Sequence, residues 1–188
     1  MSPTTKQPSA ADTLAPALEG DHWIESLRDG TRVLIRPLRP GDRALEMAFI
    51  RELSPEAKRY RFLGDFKEPS NQLVNQLMHV DYVHDMAFLA LAHDNGRLRE
   101  VGISRYAATK DGKQCECAVT VADDWRHRGL AVLLMQHLIG MARKNNFTRM
   151  FSIDDNTNES MRELAHFLGF QCEPNPGDPR TVVYSLSL

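Results

Sequence analysis

Residues 114–143 constrain the fold more tightly than any other stretch. Gln114–Val121 reads QCECAVTV, with Cys115, Cys117, Val119 and Val121 on one face and Glu116, Ala118 and Thr120 on the other, the period of a strand. After the turn Asp123-Asp124-Trp125 the period changes. Leu130, Leu134, Leu138 and Met141, joined by Leu133, form one stripe of a helix over Leu130–Arg143. Arg143 and Lys144 favour its C-terminus through the helix dipole, and Asn145-Asn146 suits its exit. A strand that feeds directly into a long amphipathic helix requires a sheet against which that helix can pack.

The rest of the chain supplies that sheet. Thr31–Leu38 is expected as a strand ending at Pro37, and Met86–Ala92 (MAFLALA) as a buried one. Val101–Thr109 pairs naturally with Gln114–Val121 across Asp111-Gly112, Met150–Ile153 is a short strand, and Thr181–Leu188 a terminal one. Helices are expected after Asp42 as N-cap, after Ser54-Pro55-Glu56, and after Ser70. A last helix opens at Asn156 and Glu159, which have capping-box-like spacing, and ends at Gly169. The order predicts an α/β (α+β) fold: a mixed sheet with helices on both faces.

Composition sets the outer limits. The 188 residues suit one domain, assigned to residues 22–188, with residues 1–21, rich in Ser, Thr, Pro and Ala, as a disordered or loosely docked tail. Lys and Arg total 23 and Asp and Glu 25, giving 23 − 25 = −2, without the basic excess of a nucleic-acid binder. The longest apolar runs, Met86–Ala92 and Leu130–Met135, fall far short of the ~20 residues that cross a bilayer. The absence of an apolar signal core and the odd count of three cysteines (Cys115, Cys117, Cys172) point to a cytoplasmic protein with free thiols.

The chemistry concentrates at Arg126-His127-Arg128-Gly129-Leu130-Ala131. A helix N-terminus offers unpaired N–H groups and a positive dipole end, Gly129 allows close backbone approach, and the two arginines add charge. This suits an anion, most naturally a pyrophosphate. The GK[ST] ending of a phosphate-binding P-loop and the GxGxxG dinucleotide fingerprint are both absent. By spacing alone the same residues also fit an ordinary helix start with two surface arginines.

RHRGLA resembles the R/Q-x-x-G-x-G/A signature of the GCN5-related N-acetyltransferase (GNAT) family, and NESMRELAHFLGF resembles that family's fourth-helix pattern. The likeness spans roughly residues 31–188. It implies the GNAT fold, a mostly antiparallel central sheet with a V-shaped splay between strands 4 and 5, which here are Gln114–Val121 and Met150–Ile153. It implies acetyl-CoA as acyl donor, held by the loop Arg126, His127, Arg128, Gly129, Leu130 and Ala131, with the pantetheine arm along the backbone of Val119 and Val121 and bonded by Asn158. The strings LRDGTRVLIRPLRPGD, LSPEAKRYRFLG, DYVHDMAF and ECAVTVADDWRHRGLA are similar to the acetyltransferase domain of Pat-type bacterial protein lysine acetyltransferases, which act on proteins such as acyl-CoA synthetases.

An amine must be neutral to attack a thioester, yet a lysine has a solution pKa of ~10.4, so a general base is expected. Glu116 is the candidate, a carboxylate among small residues and at a point of the strand where Pat-like enzymes also carry Glu. The oxyanion is expected on a backbone N–H near Val119. Where many family members place a Tyr as general acid, this chain has Ala165. Asp81 and Tyr82, in a loop that the resemblance places beside the acceptor site, are candidates for steering a cationic lysine. His79, Asp81, His84 and Asp85 match no standard zinc spacing, and no metal is assigned. The expected activity is N-acetylation of a primary amine, with a protein lysine favoured, in a monomer or homodimer. The alternatives are a small amine such as a polyamine, amino acid or antibiotic, and a non-catalytic acyl-CoA-binding module.

Overall fold

The computed structural model describes residues 21–63 and 68–188, so the expected tail lies outside the described residues except for Asp21. The strands are β1 Trp23–Ser26, β2 Arg32–Pro37, β3 Asp85–Asp94, β4 Arg97–Ala108, β5 Gln114–Val121, β6 Arg149–Asp155, β7 Gln171–Pro174 and β8 Thr181–Ser187. The helices are α1 Arg43–Glu52, α2 Pro55–Phe62, α3 Asn71–Leu77, α4 Leu130–Lys144 and α5 Glu159–Leu168. They build one sheet in the order β1-β2-β3-β4-β5-β6-β8-β7, antiparallel throughout except for the parallel β5–β6 pair. This is the mixed, mostly antiparallel architecture expected. The two edge strands, β1 and β7, escape the sequence reading because each has four residues and no fully buried apolar side.

Alternation along β4 shows how the two faces are covered. Ser104 Oγ donates to the Leu134 carbonyl of α4 at 3.0 Å, while the next residue, Arg105, donates from Nη1 to the Leu77 carbonyl of α3 at 3.1 Å on the opposite face. Gly102 lets α4 sit close: a Cβ there would lie 3.0 Å from Leu134 Cδ1 and 3.3 Å from Leu130 Cδ2. Leu130, Leu134 and Leu138 are buried, as the helical stripe predicts.

The splay has a simple register. β5 and β6 pair only at Gln114↔Arg149, Cys115↔Met150 and Glu116↔Phe151. Beyond Glu116, β5 stays with β4 to Val121, and β6 stays with β8 to Asp155. The two strands therefore part in the middle of a continuous sheet.

Two caps differ from expectation. Asp42 precedes α1 but makes no side-chain cap; its carboxylate is buried in a bidentate pair with Arg36, at 2.7 Å on both arms, and accepts the Arg39 N–H. The N-cap of α5 is Asn158 rather than Asn156, its Oδ1 accepting the Met161 N–H at 3.1 Å. Asp155 Oδ1 holds the Thr157 N–H in a turn at 2.9 Å and so delays the helix, while Asn156 bonds the 179–180 backbone instead.

A buried charge cluster lies under α1. Glu46 and Glu100 are each 2% exposed, with Arg105 Nη2 3.6 Å from Glu46. Burial, and then the Glu46 charge, hold the Glu100 carboxyl well above the usual range. The folded state thus binds more protons than the unfolded one, so this group's contribution is full below the ordinary carboxylate range and is lost as pH rises through the raised value. Glu100→Gln should therefore melt a few degrees above the parent at pH 8, with the two curves converging near pH 4, as read by thermal unfolding against pH.

Candidate active site

The splay opens into a cleft of about 900 Å³. Its floor is β5 from Glu116 to Val121, one wall is α2, and the opposite wall is the end of β6 with the start of α5. The loop 126–129 and the first turn of α4 close one end. Of the expected cofactor residues, Val119, Val121, Arg126, His127, Gly129, Leu130, Ala131 and Asn158 all line this one space.

The closed end has the features that suit an anion. The 3-10 turn Asp123–Trp125 is anchored by the Ala122 N–H on the Val101 carbonyl and by buried Trp125. His127 and Gly129 then both take left-handed backbone, φ 61 and 87, and Gly129 is the N-cap of α4, which has no side-chain cap. A histidine in that region is uncommon, and such strain concentrates where the backbone is shaped for a ligand. Leu130, Ala131 and Val132 of the first turn of α4 line the cleft, and their N–H groups have no side-chain capping oxygen.

The arginines behave differently from the reading. Arg126 lines the cleft but is held by Asp123 at 2.9 Å and, more loosely, by Glu56 at 3.9 Å;. Arg128 does not line it. Its guanidinium lies 4.7 Å from the Trp125 ring centroid, donates to the Asp124 carbonyl at 3.0 Å and meets Asp29 at 3.4 Å. Its side chain is committed outside the cleft.

Glu116 occupies the other end, at the last paired position before the strands part, with an exposed side chain on the cleft. Asp154 of β6 also lines the cleft, with Ser152 Oγ donating to its Oδ2 at 2.6 Å. Burial raises the Asp154 pKa; the Ser152 bond and Arg61 oppose the rise and the Glu116 charge adds to it. Burial, and then Arg105, pull Arg61 down to about 10, which leaves it cationic at neutral pH. Thr120 is 8% exposed and lines the cleft, and its hydroxyl has no hydrogen-bond partner among the described residues.

Asp81 and Tyr82 are not brought to this cleft. Tyr82 is 4% exposed and its hydroxyl donates to the Leu38 carbonyl at 2.9 Å. Asp81 accepts the N–H groups of Val83, His84 and Asp85 at 2.7–2.9 Å, folding its own loop. Burial pushes its pKa up, but these bonds and His84 outweigh it and hold the carboxylate low. Both side chains are used by the structure before any substrate arrives. Among the described residues, no three His, Cys, Asp or Glu side chains converge as a metal site.

Sequence reasoning missed Asp154, Thr120 and the cleft residues Tyr60 and Arg61 of α2. For Asp154 and Thr120 a signal existed: polar side chains in the two strands that part. The α2 residues carry no such mark, because only the tertiary fold lays that helix over β5.

An unpaired strand edge, an uncapped helix N-terminus and an orphaned hydroxyl together suit a long ligand with phosphates at one end and amides along its length, as in coenzyme A. The comparisons agree. Residues 49–170 match the family described as the acetyltransferase (GNAT) family. The chain is 54% identical over 172 residues, 92% of each chain, to "Acetyltransferase PA5475" of Pseudomonas aeruginosa. Among solved structures, the GNAT domain of S. lividans PAT superposes with a TM-score of 0.80 at 24% identity, covering 89% of this chain and 97% of that one. The yncA protein of Salmonella typhimurium, solved with its cofactor acetyl-CoA, gives 0.66 at 16% identity over 83% and 94%.

This chain belongs to the acetyltransferase (GNAT) family. It is an acetyltransferase.

Gly129 gives a direct test of the anion end. Gly129→Val would place a β-branched side chain at φ 87, with its Cβ 3.3 Å from Arg28 Nε. Coenzyme A affinity, read by titration calorimetry, is expected to fall at least tenfold, with the variant's melting curve confirming that the fold persists.

Proposed function

We propose that the acceptor is a primary amine, that of a protein lysine, and that Glu116 takes its proton. The observation that carries this reading is the position of Glu116: an exposed carboxylate on the cleft floor where β5 and β6 separate. Asp154 across the splay adds negative character suited to an incoming ammonium. Coenzyme A would lie along β5, its phosphates on the N–H groups of Arg128, Gly129 and Ala131, and its arm on the backbone of Val119 and Val121. Asn158 fits a bond to that arm, because its Oδ1 is committed to the α5 cap and its amide N–H groups remain as donors.

The reaction balances with these groups. The neutral amine nitrogen attacks the thioester carbon, a C–N bond forms, and the amine proton passes to Glu116 directly or through water. The oxyanion is met by a β5 backbone N–H near Val119. Collapse breaks the C–S bond, and the thiolate takes a proton from solvent. No Tyr acid is required at position 165, where buried Ala165 stands, since a thiol of pKa ~8.5 leaves readily as thiolate.

The choice of a lysine rests on the resemblance to Pat-type enzymes together with the 97% coverage of the S. lividans PAT domain. A cytoplasmic setting fits the free thiols Cys115, Cys117 and Cys172. Among the described residues no helix is long and apolar enough to cross a membrane.

Glu116→Gln is expected to lower kcat by about 10²-fold or more with little change in KM for acetyl-CoA, measured as acetyl-dependent thiol release. Unchanged turnover would remove Glu116 as base. Mass spectrometry of a lysate incubated with enzyme and acetyl-CoA is expected to show new acetyl-lysines. Their absence, alongside acetylation of a polyamine or amino acid, would make the acceptor a small molecule.

A further inference from the structure

Both arginines of the signature loop already have side-chain partners, and a third, outside it, has none among the described residues. Arg28 lies on the turn between β1 and β2, ahead of the residues 49–170 that match the family. This hairpin is fixed to α4 and its loop. The Arg28 N–H donates to the Arg128 carbonyl at 3.1 Å, and Asp29 meets Arg128 at 3.4 Å. Glu25 reaches His137 Nε2 at 2.9 Å, and the Trp23 ring sits 4.5 Å from the His137 ring.

The Arg28 side chain runs across Gly129, with Nε, Cγ and Cδ 3.3–3.6 Å from where a Cβ would stand, and it lines the cleft. Arg126 is matched by Asp123, and Arg128 by Asp29 and Trp125. Among the described residues, no acid, carbonyl or ring is recorded against the Arg28 guanidinium. A cation beside the positive end of a helix is repelled by it, so the pair of features gains most when an anion sits between them.

We propose that Arg28 is a phosphate-binding residue for the acyl donor, its guanidinium fork taking phosphate oxygens of coenzyme A at the start of α4. A planar guanidinium suits phosphate better than an ammonium does, since it can present two parallel N–H donors. The short hairpin thereby becomes part of the donor site. The inference rests on acetyl-CoA as donor and not on which amine accepts the acetyl group.

Binding alone tests it, with no acceptor present. The parent, Arg28→Ala and Arg28→Lys are titrated with coenzyme A and dephospho-coenzyme A by calorimetry, and with pantetheine by chemical-shift perturbation. Arg28→Ala is expected to weaken coenzyme A roughly tenfold to a hundredfold, with Arg28→Lys intermediate and pantetheine affinity unchanged. An equal loss with dephospho-coenzyme A assigns the contact to the pyrophosphate, and a loss confined to coenzyme A assigns it to the 3′-phosphate. Equal coenzyme A affinity in parent and Arg28→Ala overturns the proposal, as does an equal loss with pantetheine, which would mark a purely structural role. Melting curves of both variants establish that the hairpin change leaves the domain folded.

Discussion

The break in pairing between β5 and β6 is the constraint on which the rest depends. Three register pairs join the strands, and each then follows a different neighbour. Backbone N–H and C=O groups left without a ladder in a protein interior are costly, so such a gap persists only where solvent or a ligand can satisfy them. Here the gap is wide enough to form a cleft and is walled by α2 and α5, not filled by side chains. The same divergence places Glu116 at its apex and the N-terminus of α4 at its far end, so one irregularity positions both the proposed base and the proposed phosphate site.

The electrostatics follow the same axis. At the proposed anion end Arg126 and Arg128 are tied to acids and to Trp125, which leaves, among the described residues, the uncapped N–H groups and the Arg28 guanidinium as the positive elements without a partner. The other end carries Glu116 and Asp154 with Arg61 nearby, so the carboxylates are held close together without a fully unbalanced charge. Under the proposed function, a donor ending in phosphates and an acceptor carrying an ammonium would thereby be drawn to opposite ends of one groove. The overall charge of −2 conceals this separation.

Much of this was legible in the residues. The strand-to-helix junction at 114–143 carried the strand and the helix face, because period two and period 3.6 are local properties, whereas the left-handed backbone of His127 and Gly129 emerges only in the fold. The alternation of β5 correctly put Glu116, Ala118 and Thr120 opposite Cys115 and Cys117. What was not legible depends on distant chain segments. Asp81 and Tyr82 looked available, but a loop that hydrogen-bonds its own backbone and the Leu38 carbonyl cannot be recognised from spacing. Asp42 looked like a cap because nothing in sequence reveals that Arg36 claims its carboxylate. Arg28 was invisible for a different reason: β1 is too short to show a period, so the hairpin that brings it to Gly129 could not be anticipated.

The most direct test of the account is amide hydrogen exchange with and without coenzyme A, since the claim concerns which backbone groups the ligand satisfies. New protection is expected in Ala118–Val121 and in Arg128–Val132, with little change in β7 and β8. Binding that leaves the β5 edge unprotected, or that protects only the far side of the sheet, would contradict the assignment of the splay as the donor site.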